Sequence, residues 1–117
     1  MSHVDGFVCA VPTANREKYR EYASGAAVAF KATGALSFVE CWGDDVPDGK
    51  LTSFPMAVKC QPDETVVFSW VVWPSRQARD EGMKMVMQDP RVDPRTSAMP
   101  FDGTRLIFGG FEVIVDA

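Results

Sequence analysis

Four ionisable residues occupy strand-like positions in the sequence and could carry chemistry: Asp5, Glu40, Arg105 and Glu112. Glu40 is the clearest case, because a strand there would place its carboxyl in one row with Leu36, Phe38 and Trp42. Desolvation raises the pKa of such a carboxyl, which suits a general acid or base, and an arginine nearby could bind an anionic substrate. These four are the predicted catalytic residues.

Three aromatic residues are the predicted walls of a substrate site: Trp42, Trp70 and Phe101. Both sets also have a structural interpretation, which is the more common situation in proteins. Carboxylates among apolar residues often lie at strand ends or in ion pairs across a dimer interface. Large aromatic side chains in strands usually belong to a core or an interface.

The sequence has few residues that could bind a metal or an organic cofactor. The only histidine, His3, precedes the first strand, and the cysteines Cys9, Cys41 and Cys60 are odd in number, widely spaced and without a C-x-x-C pair. We interpret them as small core residues of a protein in a reducing compartment. The acidic segment at residues 44–48 lacks the calcium-loop pattern and indicates a turn. The sequence predicts no metal and no organic cofactor.

The charge balance bears on possible partners. Sixteen acidic residues against 12 basic ones give a net charge of −4, and the basic residues are dispersed. This pattern argues against nucleic-acid binding, which needs a basic patch. A targeting leader and a membrane-length apolar run are also missing, so we expect a cytoplasmic protein that does not insert into membranes.

The length of 117 residues suits one domain, spanning residues 1–117. Propensity, periodicity and turn signals predict strands at residues 4–11, 35–42, 54–60, 65–73 and 105–116, with a hairpin joining the third and fourth. Helices are predicted from the N-cap Asn15 to Gly34, and from the N-cap Ser75 to residue 89 with Ala78, Gly82, Met85 and Val86 buried. Gly109 and Gly110 indicate a bulge or a close approach in the last strand.

This order of elements contains the split β-α-β pattern twice, which predicts the α+β class and a ferredoxin-like sandwich with an antiparallel sheet. Two helices would then cover one face of the sheet. The strands, however, are apolar on both faces: Phe68, Trp70 and Val72 alternate with other apolar residues. A second subunit is the economical cover for the second face, so the sequence predicts a homodimer.

Several stretches along nearly the whole chain carry a resemblance: Val4-Asp5-Gly6-Phe7-Val8, Val39-Glu40-Cys41-Trp42, Asp45-Val46-Pro47-Asp48-Gly49-Lys50, Val67-Phe68-Ser69-Trp70, Trp73-Pro74-Ser75, Met99-Pro100-Phe101-Asp102-Gly103 and Gly109-Gly110-Phe111-Glu112. Because of these stretches, the chain resembles the YbaA-like bacterial proteins, a family of unknown function. The resemblance implies the dimeric α+β barrel superfamily, in which two ferredoxin-like sheets pack into one barrel. It implies no activity.

Two functions follow as hypotheses. Proteins of that superfamily hold small ligands between sheet and helix, so this chain is expected to bind or convert a small metabolite without a cofactor; haem chemistry is disfavoured because it needs an axial histidine. The alternative is a non-catalytic stress or regulatory dimerisation module. An enclosed pocket containing at least two of Asp5, Glu40, Arg105 and Glu112 would favour the first, and a filled barrel with those groups paired would favour the second.

Overall fold

The computed structural model describes residues 2–117 and belongs to the α+β class, as predicted. Its strands are β1 (His3–Pro12), β2 (Ser37–Trp42), β3 (Glu64–Trp73) and β4 (Ile107–Glu112), and its α-helices are α1 (Arg16–Ala32), α2 (Phe54–Ala57) and α3 (Arg76–Val86). The strands form one sheet in the order β2-β3-β1-β4, with every neighbouring pair antiparallel.

The strand register defines two faces of the sheet. On the helix face, which α1 and α3 cover, rows of side chains run across the strands, for example Glu40, Ser69 and Phe7. Its core has one part around Phe30 and Trp73 and another part around Tyr19, Cys9, Val11, Ala23 and Val67. The opposite side, the open face, is covered around Val8, Ala10 and Val66, where Val58 packs, and in part at Phe68, where the ring of Phe54 lies 5.8 Å away.

Helix α1 forms where the sequence predicts it. Tyr19, Ala23, Ala26 and Phe30 recur at helical spacing and are buried against the sheet. The chain leaves the helix at Gly34, whose φ of 114° is accessible to glycine at little cost. Asn15 stands at the N-cap position, but its side chain makes no capping hydrogen bond. It instead donates to the Pro100 carbonyl oxygen at 3.1 Å and so ties the irregular segment near residue 100 to the helix start.

Helix α3 begins as predicted, with the Ser75 hydroxyl accepting a hydrogen bond from the Ala78 N–H at 3.1 Å. Gly82 is buried where α3 crosses the sheet, and a β-carbon there would collide with the Trp73 indole. The prediction that Met85 is buried was wrong: its side chain is 58% exposed. The methionine that packs on the core is Met83, two residues earlier and therefore on another side of the helix.

The segment at residues 54–60 corrects a predicted strand. It contains helix α2, so the predicted hairpin to the next strand was also wrong. The physical reason is a local start signal: the Ser53 hydroxyl accepts the Met56 N–H at 3.1 Å, and Pro55 lies in the first turn, where its missing N–H costs nothing. Val58 then packs on the open face of the sheet.

The rest of the open face is apolar and uncovered. Apart from Ser37 and Glu64, the register places only apolar residues on this side of the four strands, and Phe68, Ile107 and Phe111 are 42%, 44% and 63% exposed. Such a continuous apolar surface is unusual for a monomer. Among residues 2–117 there is no helix with the length and apolarity needed to cross a bilayer.

Candidate functional site

The Glu40 carboxyl lies on the helix face, between the sheet and α1. Glu40 belongs to strand β2 and lies beside Ser69, its cross-strand partner in β3. Helix α1 places Tyr19 above the Glu40 carboxyl. The Tyr19 hydroxyl donates to the carboxylate, at 2.7 Å from Oε2 and 3.0 Å from Oε1. Tyr19 is itself fixed by Phe101, whose ring meets it edge-on with centroids 5.6 Å apart. The position of Glu40 therefore depends on three separate parts of the chain.

Burial sets the proton affinity of this cluster. Desolvation raises the pKa of Glu40 above its usual value, although hydrogen bonds from Tyr19 and Ser69 act in the opposite direction. Burial and the nearby Glu40 charge also raise the pKa of the Cys9 thiol, to about 12, and raise the pKa of the Tyr19 phenol. Cys9 and Tyr19 therefore keep their protons at neutral pH, and Glu40 is the group that can exchange one.

Beside Glu40 the structure has a cleft of about 180 Å³, which we call the Glu40 cleft. Its lining residues come from the first half of α1, from β2 and from β3: Arg16, Tyr19, Arg20, Glu40, Cys41, Trp42 and Val67. Trp42 forms an apolar wall, and the Arg16 guanidinium lies 5.5 Å from the centre of its ring. The cleft thus combines one carboxyl, one phenol, an aromatic wall and cations at the rim.

Asp5, a predicted catalytic residue, does not line the Glu40 cleft, and both of its carboxylate oxygens accept hydrogen bonds from other side chains. Its carboxylate accepts a hydrogen bond from Trp73 Nε1 at 2.9 Å and pairs with Arg79 from α3, at 2.9 Å from Nη2 and 3.1 Å from Nε. Gly110 allows this packing, since a β-carbon there would lie 2.7 Å from both Arg79 Nη2 and His3 Nε2. Of the two glycines in β4, Gly110 therefore marks a close approach, whereas a β-carbon at Gly109 would make ordinary contacts, and β1 and β4 keep a regular register there.

Arg105, the predicted catalytic cation, also has partners. Its guanidinium forms a two-pronged pair with Glu64, at 2.7 Å and 2.6 Å, and its Nε contacts Asp102 at 3.0 Å. These bonds lower the pKa of Glu64 and raise that of Arg105. The pair joins the segment before β4 to the start of β3, so Arg105 is not the counter-ion of Glu40.

The two remaining predicted residues lie outside the Glu40 cleft. Glu112 is exposed at the end of β4, opposite His3 in the register. Trp70 is on the open face, where its ring lies 5.7 Å from that of Phe68. The structure therefore brings Glu40, Trp42 and Phe101 together around Tyr19 and separates Asp5, Arg105, Glu112 and Trp70 from them.

This distribution bears on the two functional hypotheses. Only one of the four predicted catalytic residues, Glu40, lines the cleft, while Asp5 and Arg105 have the paired, structural arrangement that the second hypothesis expects. What sequence reasoning missed is Tyr19, whose helical spacing places it among the buried residues of α1 although its hydroxyl needs a partner there. Among residues 2–117, no three His, Cys, Asp or Glu side chains are placed to hold a metal ion.

The fold and the cleft define an α+β protein with a desolvated carboxyl between its sheet and first helix. Residues 2–103 match the family described as "Protein of unknown function (DUF1428)", and the chain belongs to this family. It is 54% identical over 116 residues, 99% of both chains, to "Uncharacterized protein YbaA" of Escherichia coli (strain K12), and equally to the proteins of that name in Escherichia coli O157:H7 and Shigella flexneri. The predicted resemblance to YbaA-like proteins is confirmed.

Proposed function

We propose that this is a cytoplasmic protein that binds a small molecule in the Glu40 cleft and exchanges a proton with it, using only its own side chains. The observation that carries the proposal is a carboxyl removed from water, held by a neutral phenol and facing a cleft. A carboxyl that serves only stability is usually compensated by a cation, as Asp5 is by Arg79. Glu40 forms no ion pair within residues 2–117.

The chemistry follows from the raised pKa. A general acid or base works best when its pKa approaches the pH at which it operates, and desolvation moves Glu40 in that direction. Tyr19 holds the carboxylate in one orientation, so that a bound molecule would meet a fixed oxygen. The reaction class is therefore abstraction of a weakly acidic proton from the bound molecule and its return.

The test is a thermal-shift screen with a library of small metabolites, applied to the wild type and to Glu40→Gln. A ligand of the native state raises the apparent stability whatever its chemistry. We expect hits whose binding or conversion is lost in Glu40→Gln and kept in Glu21→Gln, which changes an exposed glutamate of α1. Hits that bind and react equally with Glu40→Gln would refute the proposal.

We further propose that two copies pack through their open faces and form the dimeric α+β barrel that the sequence analysis expected. Two observations support this. The strand order β2-β3-β1-β4, with α1 between β1 and β2 and α3 between β3 and β4, is that of the ferredoxin-like plan. Apart from Glu64, which pairs with Arg105 at the start of β3, the open face carries no charged residue, and a second copy presents a matching apolar surface on which about 800 Å² per subunit could be buried.

Light scattering tests the dimer. We expect twice the 12.9 kDa chain mass at micromolar concentration. Phe68→Lys, at an exposed position of the open face, should yield the monomer because it would bury a charge in the interface. Leu51→Lys, at a 99% exposed loop position, is the matched control and should stay dimeric. A wild type of monomer mass would overturn the proposal.

A non-catalytic dimerisation module is the second candidate. The pairing of Asp5 with Arg79 and of Arg105 with Glu64 favours it, since half of the predicted catalytic groups serve the fold. The two candidate functions predict different effects of Phe68→Lys and Glu40→Gln. A module of this kind would lose its function with the dimer, in Phe68→Lys, and would be unaffected by Glu40→Gln.

A further inference from the structure

Arg16 differs from every other arginine of the chain. Of the seven arginines, six form ion pairs with carboxylates: Arg20 with Glu17, Arg76 with Asp80, Arg79 with Asp5, Arg91 with Asp89, Arg95 with Asp93 and Arg105 with Glu64. Within residues 2–117, Arg16 has no carboxylate partner. It is also the arginine that lies on Trp42 at the rim of the Glu40 cleft.

The placement of Arg16 favours binding of an anion from solution. Its guanidinium lies over the indole of Trp42, and this contact restricts a long side chain that would otherwise be mobile. A guanidinium binds carboxylates through two parallel hydrogen bonds and loses little freedom in doing so when it is already oriented. The nearby carboxyl of Glu40 does not use it, because Tyr19 holds that group.

We propose that the Glu40 cleft binds a small organic carboxylate, with its carboxylate group on Arg16 and its apolar part between Trp42 and Tyr19. This inference rests on the proposed function and names its substrate class. The end of the ligand that reaches Glu40 must be uncharged and carry the proton to be exchanged, since two carboxylates side by side would repel each other. The charge and the reacting proton are therefore at opposite ends of the ligand.

The volume of the cleft limits the size of that ligand. About 180 Å³ is less than the roughly 300 to 1,000 Å³ of usual small-molecule sites, so the part of the ligand inside the cleft is small. A monocarboxylate with a short unsaturated or aromatic body fits this limit. A phosphate ester would bring a second negative charge toward Glu40 and is disfavoured for that reason.

The test compares charged and neutral probes of equal shape. Benzoate and crotonate, each beside its primary amide, and inorganic phosphate are titrated at pH 7.5 into the 15N-labelled protein, and amide chemical shifts report the affinity and the location. We expect the carboxylates to bind at least tenfold more tightly than their amides, with shifts around Arg16 and Trp42. In Arg16→Gln this preference should vanish, and in Lys18→Gln, which removes an exposed charge from the same helix, it should remain.

Three results would overturn the inference: no carboxylate binds better than its amide, the preference survives in Arg16→Gln, or phosphate is the best ligand. Its failure is separable from that of the proposed function. Uncharged hits that depend on Glu40 and not on Arg16 would refute the substrate class alone. Carboxylates that depend on Arg16 and react equally in Glu40→Gln would refute the proton exchange alone. The simple probes need no bond to Glu40, so Glu40→Gln should bind them at least as tightly as wild type.

Discussion

Asp5 and Glu40 lie on the helix face of one sheet, each among apolar neighbours, and yet they have different surroundings. The Asp5 carboxylate is 3% exposed and is bound by a guanidinium and an indole N–H. The Glu40 carboxylate is bound by the Tyr19 hydroxyl and faces a cleft. The comparison shows that the partner, more than burial, decides whether a carboxyl is confined to a structural role.

The two helices create this difference. Helix α3 carries Arg79 to Asp5, while α1 carries Tyr19 to Glu40. A cation compensates a buried charge and stabilises its ionised form, whereas a phenol supplies one hydrogen bond and leaves desolvation as the larger effect. Asp5 is therefore expected to matter most for stability, and Glu40 for proton exchange.

The largest effect is expected for Asp5→Asn. The change removes the charge that pairs with the Arg79 guanidinium, which is 21% exposed, and it puts an NH2 donor in place of one acceptor oxygen, facing either Trp73 Nε1 or Arg79 Nη2. Breaking a buried pair in this way costs about 3 kcal/mol. Urea unfolding at pH 7 should show the loss as a lower midpoint with an unchanged slope.

Asp93→Asn is the matched control for that substitution. Asp93 also pairs with an arginine, but Arg95 is 88% exposed, and solvent screens exposed pairs. Its unfolding midpoint should stay within error of wild type. If Asp5→Asn were as stable as this control, the structural role of Asp5 would be contradicted, because Asp5 would then contribute no more to stability than a surface charge does.

The sequence predicted the strands and the longer helices well because alternation and helical spacing are local patterns. The alternation around Glu40 placed its side chain in the row of Phe38 and Trp42, and the structure has it there. The segment at residues 54–60 was predicted wrongly, since its apolar content outweighed the start signal of Ser53 and Pro55. That signal was present in the sequence, at the spacing of a helix N-terminus.

The partners of the buried charges could not be predicted in the same way. Asp5 and Arg79 are 74 residues apart, and their contact depends on where α3 crosses the sheet, which Gly82 and Trp73 decide. Tyr19 meets Glu40 across 21 residues for a similar reason. Periodicity assigns a residue to a face, but the position of a helix along that face is a property of tertiary packing. The sequence therefore predicted that a carboxyl and aromatic side chains form the candidate site. It identified only some of the residues that do so, Glu40, Trp42 and Phe101, and it missed Tyr19.

A smaller effect is expected for Tyr19→Phe, which removes the donor to Glu40 and keeps the ring. The hydrogen bond to Tyr19 lowers the pKa of Glu40, so its loss should raise that pKa further. Stability at neutral pH should fall by about 1.5 to 3 kcal/mol, the usual contribution of a hydrogen bond to a charged group. Carbon-13 NMR of the glutamate carboxyls measures the pKa directly.

Tyr22→Phe is the control for Tyr19→Phe. Tyr22 packs against the same Phe101 ring, with centroids 6.0 Å apart, and its hydroxyl makes no hydrogen bond to Glu40. The titration of Glu40 should therefore be the same as in wild type. If Tyr19→Phe left the titration of Glu40 unchanged as well, the phenol would not be what holds the carboxylate.

The smallest effect is a pH-dependent difference in stability between the wild type and Glu40→Gln. Because folding raises the pKa of Glu40 above its usual 4.5, the native state holds this proton more tightly than the unfolded chain does. Glu40 thus contributes its full stabilisation below pH 4.5, and this contribution is lost as the pH rises through the raised value. The groups around the carboxyl do not alter the sign: Tyr19, Tyr22 and Cys9 stay neutral because burial raises the pKa of each, and the neighbouring cations Arg16 and Arg20 line the same cleft in both proteins. Asp89, Asp93, Asp102 and Glu64 have lowered pKa values and destabilise both proteins alike as the pH falls, so they cancel in the difference.

Urea unfolding from pH 4 to pH 8 should therefore show the wild type losing stability relative to Glu40→Gln as the pH rises. A difference that is constant, or that grows in favour of the wild type toward pH 8, would mean that Glu40 is compensated in the native state as Asp5 is.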